Sequence, residues 1–92
     1  MSINVTAIRL EGGSKHEHIT HLWWVGREDN KPGDASRASV VAWIEEGGRA
    51  YVRDEQGHDV AVHVVTPPSG PKYLQTRADG IWTDNLLSLP RR

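Results

Sequence analysis

One segment of the chain carries the apolar spacing of a helix, and the segments on both sides of it alternate like strands. In residues 36–46 one helical face holds Arg37, Val40, Val41 and Ile44, and Trp43 broadens it. Asp34 or Ser36 can cap the first turn, and Gly47 suits the end of the helix. A single amphipathic helix among strands has to pack on a face of their sheet, which predicts an α+β fold.

The strand pattern predicts the element order β-β-α-β-β-β. Alternating or β-branched stretches occupy residues 3–7, 18–25, 49–54, 59–66 and 72–77, with a short return at 81–83. The alternation of the first strand slips, which predicts a bulge near Ala7. Residues 29–34 and 67–71 contain proline and glycine and are predicted as loops. The prediction is therefore a predominantly antiparallel sheet of about five strands with one helix packed on one face.

Length and composition narrow the class of protein. The chain has 92 residues, which predicts a single domain over 1–92, and it contains no cysteine. The sequence has no apolar run long enough to cross a bilayer, so it predicts no membrane partner. We expect a soluble cytoplasmic protein. Residues 1–46 carry five Lys/Arg against seven Asp/Glu, and residues 47–92 carry six against five. Charge along the chain therefore does not support nucleic-acid binding.

Three histidines lie close together at the start of the second predicted strand. His16, His18 and His21 are the weak candidates for a metal site, since histidine is a common zinc ligand. Strand alternation places His21 on the face opposite to His16 and His18, however. We therefore expect His21 to be hydrogen-bonded on a mostly apolar face, and the other two to lie at an exposed strand entry. No metal and no cofactor is predicted.

The C-terminal stretch has a more specific pattern. Residues 72–90 read Lys-Tyr-Leu-Gln-Thr-Arg-Ala-Asp-Gly-Ile-Trp-Thr-Asp-Asn-Leu-Leu-Ser-Leu-Pro. This resembles the closing signature of a small bacterial family, domain-of-unknown-function family 3892. The His-Glu-His-Ile-Thr segment and the Arg-Ala-x-x-Val-Ala-Trp-Ile helix are similar to it too, so the resemblance covers nearly the whole chain. Gln75 stands where the family usually has arginine. The resemblance implies a bacterial protein and brings no activity with it.

The same stretch permits two interpretations. It can close the fold, with a turn at Asp79 and Gly80 and leucines that hold the tail on the core. Alternatively, it gathers a polar ligand site at one end of the sheet from Lys72, Tyr73, Arg77, Asp79, Asp84 and Asn85.

The function predicted from these features is a non-catalytic binding or protein-interaction module with a protein or small-molecule partner. One alternative is a nucleotide or nucleic-acid binder that uses Lys72, Tyr73, Arg77 and Trp82. Another alternative is a small hydrolytic or metal-dependent enzyme that uses His16, His18 and His21.

The second strand also predicts self-association. Trp23 and Trp24 point to opposite faces, and one helix covers one face of a sheet. We expect the other face, with Leu22 and Trp24 on one strand and Ala61 and Val65 on another, to be covered by a second copy in a homodimer. Strong curvature of the sheet is the competing explanation.

Overall fold

The computed structural model describes residues 2–92. Its strands are β1 (Ser2–Leu10), β2 (Ile19–Gly26), β3 (Pro32–Ser36), β4 (Arg49–Arg53), β5 (Asp59–Val65), β6 (Tyr73–Ala78) and β7 (Ile81–Thr83). The helix α1 spans Arg37–Glu45, and a short 3-10 turn spans His16–His18. The seven strands form one sheet in the order β3-β2-β1-β4-β5-β6-β7. Neighbouring strands are antiparallel except β1 and β4, which are parallel. The predicted α+β class is confirmed, with seven strands in place of about five.

The additional strand β3 lies where a loop was predicted. Its first residues, Pro32 and Gly33, are poor strand formers, but β3 is at the edge of the sheet, where proline is tolerated. Gly33 lies against the indole of Trp24, and a Cβ at Gly33 would come within 2.7 Å of the Trp24 Nε1. Packing against Trp24 therefore stabilises the extended conformation of Gly33, although the intrinsic strand propensity of glycine is low.

Strand β1 has the predicted irregularity. Its register with β2 shifts between Val5 and Ala7, so that Ile3, Val5 and Ile8 all reach the core. An inserted residue exchanges the two faces of a strand. The side chains after the bulge therefore point to the side opposite to the one that strict alternation would give them. The predicted bulge near Ala7 is confirmed.

The helix lies on one side of the sheet, which we call the inner face. It contacts β2, β3, β5 and β6, strands from both halves of the sheet, so the sheet curves around it. Val40 and Val41 are buried, and Trp43 and Ile44 are partly buried against the core, as the helical spacing predicts. The buried core consists of Ile3, Val5, Ile8, Ile19, Leu22, Val40, Val41, Ala50, Val52, Val62, Leu74 and Leu86.

The C-terminal tail completes the inner face. Leu86 is fully buried, and Leu87 and Leu89 pack against the core. The backbone N–H of Ile8 donates to the Pro90 carbonyl over 3.0 Å, next to the part of β1 that β4 leaves unpaired. The tail therefore satisfies backbone groups that would otherwise lie unpaired beside the core.

The prediction that Leu22 and Trp24 lie on an uncovered face is wrong. Leu22 has no exposed surface and Trp24 packs against the core, both on the inner face. Alternation separates these residues correctly from Trp23, but it cannot tell which stripe meets the helix. The homodimer stays a prediction, without the uncovered Leu22 and Trp24 on which it was based.

Candidate functional site

The side of the sheet away from α1, the outer face, has a different composition from the core. On β4, Ala50 and Val52 point inward, so Tyr51 points outward. The same alternation and the strand registers place on the outer face Arg9, His21, Trp23, Asp34, Arg49, Tyr51, Arg53, Asp59, Ala61, His63, Val65, Tyr73, Gln75, Arg77 and Trp82. Four arginines and four tryptophan or tyrosine residues belong to this set, and the same registers also place Asn4, Val25, Pro32 and Ser36 on this face.

One cluster on the outer face surrounds Trp23. The guanidinium carbon of Arg9 lies 5.2 Å from the ring centroid, and that of Arg92 lies 4.9 Å from it. The ring of His21 is 4.7 Å from the same indole, and its Nε2 is 2.7 Å from the Asp34 Oδ2. These distances are within the range of cation–π attraction, so Trp23 fixes two arginines at the surface.

Two further arginine–aromatic pairs lie across the sheet. Arg27 is 4.4 Å from the Tyr51 ring centroid, near the middle of the outer face. Arg77 is 5.1 Å from the ring centroid of Trp82, and His63 meets that indole edge-on at 6.2 Å. Trp82 is 44% exposed, so part of its ring remains available for stacking.

Arginine is concentrated on the outer face. Six of the eight arginines of the chain belong to the outer face. The six are Arg9, Arg27, Arg49, Arg53, Arg77 and Arg92. Asp34 and Asp59 are on the outer face, and three more acidic residues adjoin it, Glu28 through a bond to Ser2, and Asp54 and Asp79 beside Tyr51 and Arg77. Asp59 pairs with two of the six arginines, Arg27 at 2.8 Å and Arg53 at 3.3 Å.

The six residues suggested as a ligand site by the C-terminal pattern are distributed over the molecule. Lys72 pairs with Glu45 at the end of α1. Tyr73 and Arg77 lie on the outer face, at opposite ends of β6, and Asp79 adopts a positive φ of 52° in the turn after it. Of the four residues considered for nucleic-acid binding, Tyr73, Arg77 and Trp82 share the outer face.

The remaining two, Asp84 and Asn85, begin the tail. The Oδ1 of Asn85 accepts a hydrogen bond from the Thr83 hydroxyl over 2.6 Å, and Thr83 is in turn bonded to the buried Thr76. Asn85 therefore connects the tail to β6 and β7 on the inner side, whereas the carboxylate of Asp84 lies near His16. Both residues lie apart from the outward-facing Arg77.

His16 is buried, so the prediction of an exposed strand entry is wrong. It lies in the 3-10 turn, and 8% of its surface is exposed. Its Nε2 is 3.9 Å from the Asp84 Oδ1 and has no hydrogen-bond partner among the described residues. Burial lowers the pKa of His16, and the carboxylates of Asp84 and Glu17 partly offset this effect.

The other two histidines of the segment have separate environments. His18 belongs to the 3-10 turn and not to β2, so the prediction that it shares a strand with His21 is wrong. Its Nδ1 accepts a hydrogen bond from the Lys15 N–H over 3.1 Å, and its ring packs on Gly13. Within residues 2–92, no three His, Cys, Asp or Glu side chains form a group that could hold a metal ion.

No sequence motif marks the outer face, because its residues come from all seven strands, the turn after β2 and the C-terminal tail. The sequence does contain one signal of this face, the alternation within β4. Arg49, Tyr51 and Arg53 occupy every second position and point to the side opposite to the buried Ala50 and Val52. Placing those stripes beside Trp23 and Trp82 requires the strand order, which the sequence does not reveal.

The chain was also compared with known proteins. A family model described as "Protein of unknown function (DUF3892)" matches residues 4–90. No curated protein and no solved structure matches the chain. None of the helices described in residues 2–92 is long and apolar enough to cross a membrane.

Proposed function

The chain belongs to this family of proteins of unknown function, and from that premise we propose that it is a non-catalytic binding module whose outer face binds single-stranded nucleic acid. The observation that carries the proposal is the presence of six of the eight arginines on a face that also bears partly exposed aromatic rings. A single-stranded site needs both kinds of group, because positive charge binds the phosphates and aromatic rings stack on the bases.

The arginines supply the contacts to phosphate. Guanidinium groups bind phosphate oxygens in a bidentate manner, and neutralising phosphates releases condensed counterions. Four of the six are not engaged by Asp59, namely Arg9, Arg49, Arg77 and Arg92. Four such contacts give an expected slope of about −3 for log K against log salt on a single strand.

The aromatic residues supply the contacts to bases. Trp23, Tyr51 and Trp82 lie on β2, β4 and β7, which are separated by five strand spacings in total, or about 24 Å. That length accommodates several nucleotides, as in other single-stranded sites. A duplex is a poorer match, because reading its groove requires a protruding helix or ribbon, and its stacked bases are not accessible to surface rings.

Two adjacent arginines at the C-terminus provide a matched test. Arg92 lies over Trp23 on the outer face, whereas Arg91 donates back to the Leu87 carbonyl over 3.0 Å. We expect Arg92→Ala to weaken binding of a fluorescent 15-nucleotide oligothymidine several-fold in an anisotropy titration. It should also reduce the salt slope by about 0.7. Arg91→Ala removes the same charge and should leave both quantities near the wild-type values.

The proposal fails if the wild-type protein does not bind this oligonucleotide at 20–50 mM salt. It also fails if the two alanine variants weaken binding equally, because the effect would then come from net charge and not from the outer face. Stronger binding to a duplex of the same length would contradict the role given to the aromatic rings.

A further inference from the structure

The inner side of the molecule contains a cleft that the proposed function does not use. It has a volume of about 240 Å³ and lies between α1 and the β2–β3 edge of the sheet. Its lining residues are Ile3, Trp24, Ala35, Ser39, Val40 and Trp43. None of them is on the outer face, so this cleft is independent of the nucleic-acid surface.

Two glycines hold the walls of the cleft in place. The indole of Trp24 rests on Gly33, where a Cβ would come within 2.7 Å of the ring. The indole of Trp43 rests on Gly48, where a Cβ would come within 2.3 Å. Neither position tolerates a side chain without moving a tryptophan. The close approach to backbone keeps both rings against the protein and leaves the space between helix and strand open.

The lining selects for an uncharged ligand. Five of the six lining residues are apolar, and the sixth, Ser39, accepts a hydrogen bond from the Ser36 hydroxyl over 3.1 Å. Among residues 2–92, no charged side chain lines the cleft. A charged ligand would lose its hydration with one hydroxyl as its compensating partner, whereas an apolar ring would gain contact with two indoles.

The volume sets the size of the ligand. An apolar cavity of about 150 Å³ accepts benzene, so a cleft of this volume has room for one or two fused rings. We propose that the cleft between Trp24 and Trp43 binds a neutral, planar aromatic group of one or two rings.

Indole is the probe, and the four tryptophan side-chain N–H signals of the ¹⁵N-labelled full chain are the readout. We expect indole to shift the signals of Trp24 and Trp43 in a saturable manner and to leave those of Trp23 and Trp82 in place. Tetramethylammonium tests the competing possibility of a cation held by aromatic faces. We expect it to cause less than a tenth of the indole shift at equal concentration.

Filling the cleft provides the control. Ala35→Leu adds three carbon atoms at the lining and should weaken indole binding at least tenfold. Ala42→Leu adds the same atoms at an exposed position of α1 and should leave binding unchanged. If Ala35→Leu does not fold by circular dichroism, Ser39→Leu takes its place, because Ser39 is an exposed lining residue.

Several outcomes would overturn the proposal. One is the absence of saturable shifts with millimolar indole, and another is equal shifts of all four tryptophan signals. Unchanged indole affinity in the filled variant would show that the probe binds elsewhere. Binding of tetramethylammonium in preference to indole would assign the cleft to a cation.

Discussion

Trp23 and Trp24 are neighbours in the sequence and belong to different chemical environments. Trp23 lies on the outer face between Arg9 and Arg92, while Trp24 lies on the inner face against Gly33. Strand alternation alone produces the difference, because successive side chains point to opposite sides of a sheet. One side chain holds charge at the surface, and the other forms the wall of an apolar cleft.

The same contrast extends to the two faces of the whole sheet. The inner face contains the buried aliphatic residues, the helix and the tail, and these contacts stabilise the fold. The outer face contains arginines and rings that touch one another and remain partly in solvent, where each contact contributes little. A face that contributes little to stability is free to be used for binding.

The largest effect on stability that this contrast predicts is that of Leu22→Ala. Leu22 has no exposed surface, so its truncation leaves a cavity and should lower the free energy of unfolding by about 2–5 kcal/mol. The adjacent outward residue gives the control: His21→Ala removes a partly exposed bond to Asp34 and should cost about 1 kcal/mol or less. Urea unfolding measures both variants, and a larger loss for His21→Ala would reverse the roles of the two faces.

Much of the fold was predictable because alternation and helical spacing are local properties. The bulge near Ala7, the helix face with Val40 and Val41, and the leucine-rich tail all follow from patterns within a few residues. Strand β3 was missed because its residues form a strand through contact with Trp24, a tertiary effect that overrides propensity. The charged outer face was missed because basic residues distant in sequence meet only when the strands are ordered.

The histidine segment was misinterpreted for a related reason. A strand pattern extended back to His18 treats that residue and His21 as alternating neighbours. The 3-10 turn instead withdraws His16 into the protein near Asp84. Nothing in the local pattern indicates burial of His16, because the contact joins residues 68 positions apart.

The second test uses this buried polar group on the inner side. Burial lowers the pKa of His16 from its ordinary value of 6.5, so the unfolded chain takes up the proton more readily than the folded protein. Stability is therefore complete above about pH 6.5 and falls as the pH drops from there towards the lowered pKa, by at most about 1.4 kcal/mol per pH unit.

Urea unfolding at pH 7.5 and pH 5.5 measures this effect. His16→Gln should lose less stability between the two pH values than the wild-type protein, since glutamine does not titrate. Asp84→Asn should lose more, because the Asp84 carboxylate raises the pKa of His16. An identical pH dependence in the wild-type protein and in His16→Gln would contradict the assignment.

The smallest expected effect on stability is that of Arg77→Ala, on the outer face. Arg77 is exposed, and its contact with the Trp82 ring at 5.1 Å is of a kind that contributes about 0.5–1 kcal/mol at exposed sites. The free energy of unfolding should therefore fall by about 1 kcal/mol or less. Affinity for the 15-nucleotide oligothymidine should fall several-fold, because the variant removes a phosphate contact next to the most exposed ring of the face. A loss of several kcal/mol in stability would mean that the outer face helps to hold the fold together, and the contrast between Trp23 and Trp24 would then concern geometry alone.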